Sequence, residues 1–140
     1  METAIISCNA QTKADAQTVW HLLTDVGNWK KWDDDLRDVK FSPGSFNIDT
    51  VGEFVGENGG RSHFRVTECK SDFTYTLETR LPFTHVYTRR MLGYHNNKTI
   101  ITHEVWMEGP LRGFWSFLLG SKYEKKMRKL NARLVELAEQ

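Results

Sequence analysis

Hydrophobic and polar positions along the chain follow two periods, and each period covers its own stretches. Residues 2–10 alternate with a period of two, with Ala4, Ile6, Cys8 and Ala10 on one side, which predicts a strand. Thr12 with Asp15 three positions on reads as a capping box. The helix it opens carries Ala16, Val19, Trp20, Leu22 and Leu23 at helical spacing and stops at residues 25–27. Residues 28–33 (NWKKWD) predict a second short helical turn with Trp29 and Trp32. From Val39 the period returns to two. Turn signals at residues 42–45, 58–60, 71–72, at Pro82 and at 96–97 cut this stretch into six strands. Turns this closely spaced impose hairpins, hence an antiparallel sheet. After Gly109-Pro110 the helical period resumes with Leu111, Phe114, Trp115 and Leu118. Tyr123, Met127, Leu130, Leu134 and Leu137 then form an amphipathic stripe, with Gly120 a candidate kink between the halves.

The predicted order is one strand, two short helices, six strands and one long helix. This is an α+β fold: a curved seven-stranded antiparallel sheet wrapped around a C-terminal helix over about residues 111–139. Such a sheet has one apolar face to cover, and only the last helix is large enough to cover it. A sheet curved around one helix leaves room for a cavity between the two.

Composition narrows the function classes. A chain of 140 residues and 16.3 kDa is expected to form a single domain over 1–140. Nineteen basic residues against eighteen acidic ones leave a net charge of +1, too little for a nucleic-acid binder. Cys8 and Cys69 make neither a disulfide framework nor a zinc set, and the five histidines show no metal-ligand spacing, so no metal or cofactor is expected. No signal peptide and no transmembrane stretch is visible, which makes the cytoplasm the expected location. There is no nucleophile elbow or phosphate loop. Aromatic residues reach 12%, and large rings both fill cores and line pockets for apolar ligands.

The element order, together with particular residues, resembles the START-like (SRPBCC) superfamily with its helix-grip fold, and its polyketide cyclase/dehydrase and lipid transport branch above all. Val19-Trp20, Leu22-Leu23-Thr24-Asp25-Val26 and Asn28-Trp29-Lys30-Lys31-Trp32-Asp33 are similar to the family's helix and Trp-rich turn after the first strand. Val51-Gly52-Glu53-Phe54 looks like its third strand, and Gly109-Pro110 fits the junction before its last helix. The likeness spans essentially the whole chain. It implies a ligand cavity but carries over no catalytic residue.

Hairpin arithmetic sorts the faces without the family. A two-residue turn at Asn96-Asn97 sets Arg89 opposite Glu104 and Tyr87 opposite Trp106 on one face. Thr88 opposite Val105, Val86 opposite Met107 and Leu92 opposite Ile101 fall on the more apolar, inner face. A Ser71-Asp72 turn sets Arg65 opposite Glu78. A loop of residues 58–60 sets Glu53 beside Arg65 and Phe54 beside Phe64. The inner face then holds Phe54, Phe64, Tyr75, Leu77 and Val105, and on it Arg90 faces His103, with Glu68 as a candidate acid for Arg90. An inward Arg needs a partner, because a buried unpaired charge costs several kcal/mol. Arg90 and His103 are therefore candidate donors to an acidic group on a ligand. The alternative puts Arg90 at the sheet rim with its head in water and His103 in the core as an ordinary histidine.

Trp32 reads either as a gate at the cavity mouth or, with Trp29, as a plug closing the helix onto the sheet. Phe114 and Leu118, on the largely apolar stretch 114–119, are expected under the sheet end or over the pocket. A homodimer contact or a membrane-touching patch is the other use of that stretch. Asp33-Asp34-Asp35 reads as a solvated turn, and the helix lysines and arginines read as a solvated face. The functional expectation is a small hydrophobic or amphipathic ligand, lipid-like or polyketide-like, held between sheet and C-terminal helix. The alternatives are a cyclase or dehydratase, with His103 as general base and Arg90 stabilising an enolate, and a protein-interaction domain.

Overall fold

A computed structural model describes residues 6–42 and 44–140. Strand β1 (Ile6–Thr12) leads into α1 (Ala16–Thr24) and a 3-10 turn (Val26–Lys31). Six strands follow: β2 (Leu36–Phe41), β3 (Val51–Gly56), β4 (Arg61–Lys70), β5 (Thr74–Leu81), β6 (Thr84–His95) and β7 (Lys98–Glu108). Helix α2 (Arg112–Ala138) closes the chain. The sheet is antiparallel, seven-stranded and ordered β1-β7-β6-β5-β4-β3-β2. The curved sheet around a long C-terminal helix is the predicted architecture. Ala4 and the rest of the predicted first strand before Ile6 lie outside the described residues.

Local chemistry moves two boundaries. Thr12 does not cap α1. It stays in β1 opposite Thr99, and its hydroxyl donates to Glu139 Oε2 at 2.7 Å. Asp15 is the cap instead, its Oδ1 accepting from Thr18 N at 2.7 Å. At the other end of α1 the unpaired carbonyls find aromatic donors. Trp29 Nε1 donates to Leu23 O at 2.8 Å, Tyr75 OH to the same oxygen at 2.6 Å, and Trp32 Nε1 to Leu22 O at 3.2 Å. Trp29 is thereby fixed at the centre of a ring cluster with Trp32, Phe46, Phe54, Phe64 and Tyr75.

The β6–β7 register matches the hairpin arithmetic at every pair from His85↔Glu108 to His95↔Lys98. Asn96 and Asn97 adopt φ 52° and 62°, the left-handed pair a primed turn requires. Two other hairpins differ from expectation. Between β4 and β5 the connection is one residue longer, Lys70 pairing with Thr74, and a bulge at Thr67 absorbs the extra residue. Arg65 still faces Glu78, but Glu68 is turned to the outer face opposite Thr76. It is therefore not the acid that meets Arg90. Between β3 and β4 the loop is tied by Gly56 N to Gly60 O, and the register shifts by an even number. Faces are preserved but partners change: Glu53 meets Arg61 at 2.9 Å and His63 at 3.5 Å, and Arg65 meets Asp49 and Glu78.

That shift sets Phe64 opposite Gly52. A Cβ on Gly52 would stand 2.5 Å from the Phe64 ring and 2.4 Å from Lys40 O. Gly52→Ala should therefore force the ring or the β2–β3 ladder aside and destabilise the protein by about 1–3 kcal/mol, read from urea unfolding. An unchanged midpoint would contradict this packing.

Candidate functional site

A cavity of about 1120 Å³, open to solvent past segment 33–35 and the charged side of α2, lies between the inner face of the sheet and α2. This volume suits a small organic molecule. Leu77, Thr79, Val86, Thr88 and Arg90 form its sheet wall, and Leu119, Tyr123, Met127 and Leu130 its helix wall. Trp32, Leu36, Phe54 and the segment 33–35 complete it.

Helix α2 is buried to different extents along its two halves, and the cavity runs beside both, from Leu119 to Glu136. Its buried residues are Met127, Leu130, Asn131, Leu134 and Ala138, all in the second half. The expected burial of the 114–119 stretch is only partial: Trp115, Ser116 and Leu119 are half-buried, with Trp115 against the core, while Phe114, Phe117 and Leu118 are exposed. Leu119 is the residue of that stretch that reaches the cavity.

Of the residues expected at the site, Trp32, Phe54, Leu77 and Arg90 line the cavity. Phe64 is buried behind Phe54, their rings stacked at 4.6 Å. Val105 is fully buried on the inner face opposite Thr88. Tyr75 and His103 are fully buried and flank Arg90 across the sheet, Tyr75 on β5 and His103 on β7. Phe114 and Leu118 point away from it. Trp32 donates to Leu22 O at the end of α1 and lines the cavity while almost fully buried.

Arg90 is 6% exposed and is not at a solvent rim. Its Nε donates to His103 Nε2 at 3.1 Å and its Nη1 to Tyr75 OH at 2.9 Å. The rings of Trp32, Trp29 and Tyr75 lie 4.8, 5.3 and 5.6 Å from its guanidinium carbon. Among the described residues no carboxylate forms an ion pair with it, and its remaining N–H groups have no hydrogen-bond acceptor.

The partners fix every proton. Because His103 Nε2 accepts from Arg90, its proton sits on Nδ1 and is donated to Asn131 Oδ1, while Asn131 Nδ2 donates to Cys8 O at 3.2 Å. His103 is thus the support of Arg90, not a second donor to a ligand. Burial, and after it the Arg90 charge, push the imidazole down to about 3, with only partial opposition from Asn131. Burial likewise holds the Tyr75 phenol above its ordinary value, the Arg90 charge opposing.

Sequence reasoning missed two groups. Asn131 falls within the apolar stripe of α2, four residues after Met127 and three before Leu134, and a polar residue there is the signal that was available. Asp33 is not a solvated turn residue. It is 6% exposed, accepts from Asp35 N and pairs with Lys126 Nζ at 3.5 Å. Lys126 also meets Asp35 at 3.3 Å and Lys129 meets Asp34 at 4.0 Å, so these ion pairs join segment 33–35 to α2 along the cavity wall.

The model of the family described as polyketide cyclase / dehydrase and lipid transport matches residues 5–139. The chain belongs to that family. No functionally curated protein sequence matches it. Among solved structures, a hypothetical protein of Helicobacter pylori superposes with a TM-score of 0.76 at 14% identity, covering 94% of this chain and 86% of that one. The Zhui aromatase/cyclase of a Streptomyces species gives 0.73 at 12% identity, covering 96% and 92%. The norcoclaurine synthase of Thalictrum flavum gives 0.71 at 9% identity, covering 96% and 86%. At these identities the likeness shows the helix-grip fold that this family member shares with them. No helix of the described residues is long and apolar enough to cross a membrane.

The buried imidazole makes stability depend on pH. Unfolded His103 takes a proton near 6.5, whereas the folded one resists protonation down to about 3. Its contribution is therefore complete above pH 6.5 and is lost as pH falls below it, at roughly 1 kcal/mol per unit. Urea unfolding should show about 1–2 kcal/mol less stability at pH 5 than at pH 7, and His103→Gln should shrink that difference. A His103 ring resonance titrating near 6.5 in the folded protein would contradict the network.

Proposed function

We propose that this family member binds an amphipathic small molecule, with an acidic or strongly electron-rich oxygen at Arg90 and an apolar body against Trp32, Phe54, Leu77 and Met127. The observation that carries this reading is the guanidinium itself. It lines the cavity while 6% exposed, and part of its donor fork has no acceptor among the described residues. A desolvated cation held by neutral groups is poised for an anion. The family's description, which includes lipid transport, supports a ligand of this kind.

Catalysis with His103 as general base is disfavoured. The ring does not line the cavity, its Nε2 lone pair is occupied by Arg90, and its neighbour on the other nitrogen is the amide of Asn131 rather than an orienting acid. A cyclase of this family using this cavity would need its base elsewhere.

A fluorescent polyene fatty acid and its methyl ester separate the anchor from general loss of structure. Charged hydrogen bonds are worth about 1.5–3 kcal/mol each, so Arg90→Gln should weaken binding of the acid by roughly tenfold to hundredfold and leave the ester within a few-fold. Arg90→Lys retains the charge and should keep much of the preference for the acid. Equal losses for acid and ester in a folded variant would remove Arg90 as the anchor.

A further inference from the structure

We propose that the end of the molecule formed by the β5–β6 turn and the first turns of α2 docks on an anionic lipid surface. Half of the large apolar side chains that the described residues expose lie here: Phe83, Leu111, Phe114, Phe117 and Leu118. Phe117 is 91% and Phe83 76% exposed, more than any other large apolar residue described. Leu111, Phe114 and Leu118 follow helical spacing with Phe117 beside them, so they share one side of the helix start. The turn is held against that helix. Trp115 Nε1 donates to Pro82 O at 3.1 Å, and Phe83 O approaches Gly109 so closely that a Cβ there would stand 2.6 Å away.

Phe83 carries a second signal. Its φ of 56° is in the left-handed region, which a bulky side chain rarely occupies, and its ring packs into no core. The φ is the one that the second position of the two-residue Pro82-Phe83 turn requires, and glycine or asparagine would meet it without carrying an exposed ring.

Charge identifies the surface that receives these rings. Residues 109–123 contain no acid, Arg112 and Lys122 flank the apolar side chains, and the next acid, Glu124, is paired with Arg128 at 2.8 Å. The preceding acid, Glu108, turns to the outer face of the sheet beside Tyr87. Aromatic and aliphatic side chains flanked by cations fit the boundary between headgroups and acyl chains, where each cation near an anionic surface strengthens binding roughly fivefold. Self-association through the same patch would instead bring two sets of Arg112 and Lys122 together, with the nearest acid of the helix, Glu124, already engaged by Arg128. Leu119 and Lys122 also line the cavity, so the docked face adjoins it. The docking itself does not rest on the ligand reading.

Sedimentation with vesicles tests it. Wild-type protein should bind vesicles of phosphatidylcholine mixed with phosphatidylglycerol, bind phosphatidylcholine alone much more weakly, and release as salt is added. The double variant Phe83→Asn, Phe117→Ser should lose roughly tenfold or more of that binding. Its thermal midpoint should not fall, because both rings are exposed and Asn tolerates the left-handed backbone. Arg112→Glu with Lys122→Glu should abolish the preference for the anionic lipid. No binding by the wild type, equal binding by the Phe variant, or equal binding to neutral vesicles would overturn the proposal. So would a dimer in analytical ultracentrifugation that Phe117→Ser dissociates, which would make a second copy the occupant. Loss of fatty-acid binding in Arg90→Gln with vesicle binding intact would separate this surface from the cavity.

Discussion

A guanidinium on the inner face of the sheet, with no carboxylate paired to it among the described residues, is the constraint around which the interior is arranged. Desolvating such a charge costs several kcal/mol unless neutral groups replace the lost water. Here the replacement comes from His103 and Tyr75 in the sheet and from the faces of Trp29 and Trp32. Each supporting group is itself held in one orientation. Tyr75 donates onward to the end of α1, and His103 donates onward to Asn131 of α2, which reaches Cys8 of β1. One chain of hydrogen bonds thus runs from α1 through β5, β6 and β7 to α2 and β1. Moving the guanidinium would disturb all six elements, so a ligand at Arg90 meets a site already fixed.

The aromatic content that looks excessive in the composition is explained by the same arrangement. Trp29, Trp32 and Tyr75 are not merely filler. Their polar tips satisfy carbonyls that α1 leaves open at its C-terminus, while their ring faces attract the buried cation. Two problems of burial, an open helix end and a desolvated charge, are met by one cluster. This explains why the Trp-rich turn follows α1 immediately: the donors must lie within reach of Leu22 O and Leu23 O.

What was legible in the sequence follows from which interactions are local. Asn96-Asn97 dictates a turn by backbone preference alone, so the whole β6–β7 register, and with it the meeting of Arg90 and His103, could be counted off from that turn. The bulge at Thr67 could not be counted, since nothing in the residues there distinguishes a three-residue connection plus a bulge from a two-residue turn. The two readings agree at Arg65 and diverge at Glu68, which is how one site residue was placed on the wrong face. Asn131 and Asp33 escaped for a different reason. Each is polar for the sake of a residue far away in the chain, His103 and Lys126, and such partners appear only after folding.

The long helix shows how a single element can serve packing and function by dividing its surface. From Met127 onward it carries the apolar stripe that covers the sheet, interrupted by Asn131 where the buried network needs an acceptor. Before Met127 no residue is fully buried, yet Trp115 and Tyr123 pack against the core, with Trp115 Nε1 donating to Pro82 O and Ser116 Oγ lying 3.9 Å from Met107 Sδ. Rotation about the helix axis decides which of residues 114–119 face inward: Trp115, Ser116 and Leu119 are half-buried, while Phe114, Phe117 and Leu118 are exposed. The exposed patch and the cavity lining therefore lie on different sides of one helix, with Leu119, Tyr123, Met127 and Leu130 turned to the cavity and Phe114, Phe117 and Leu118 turned from it.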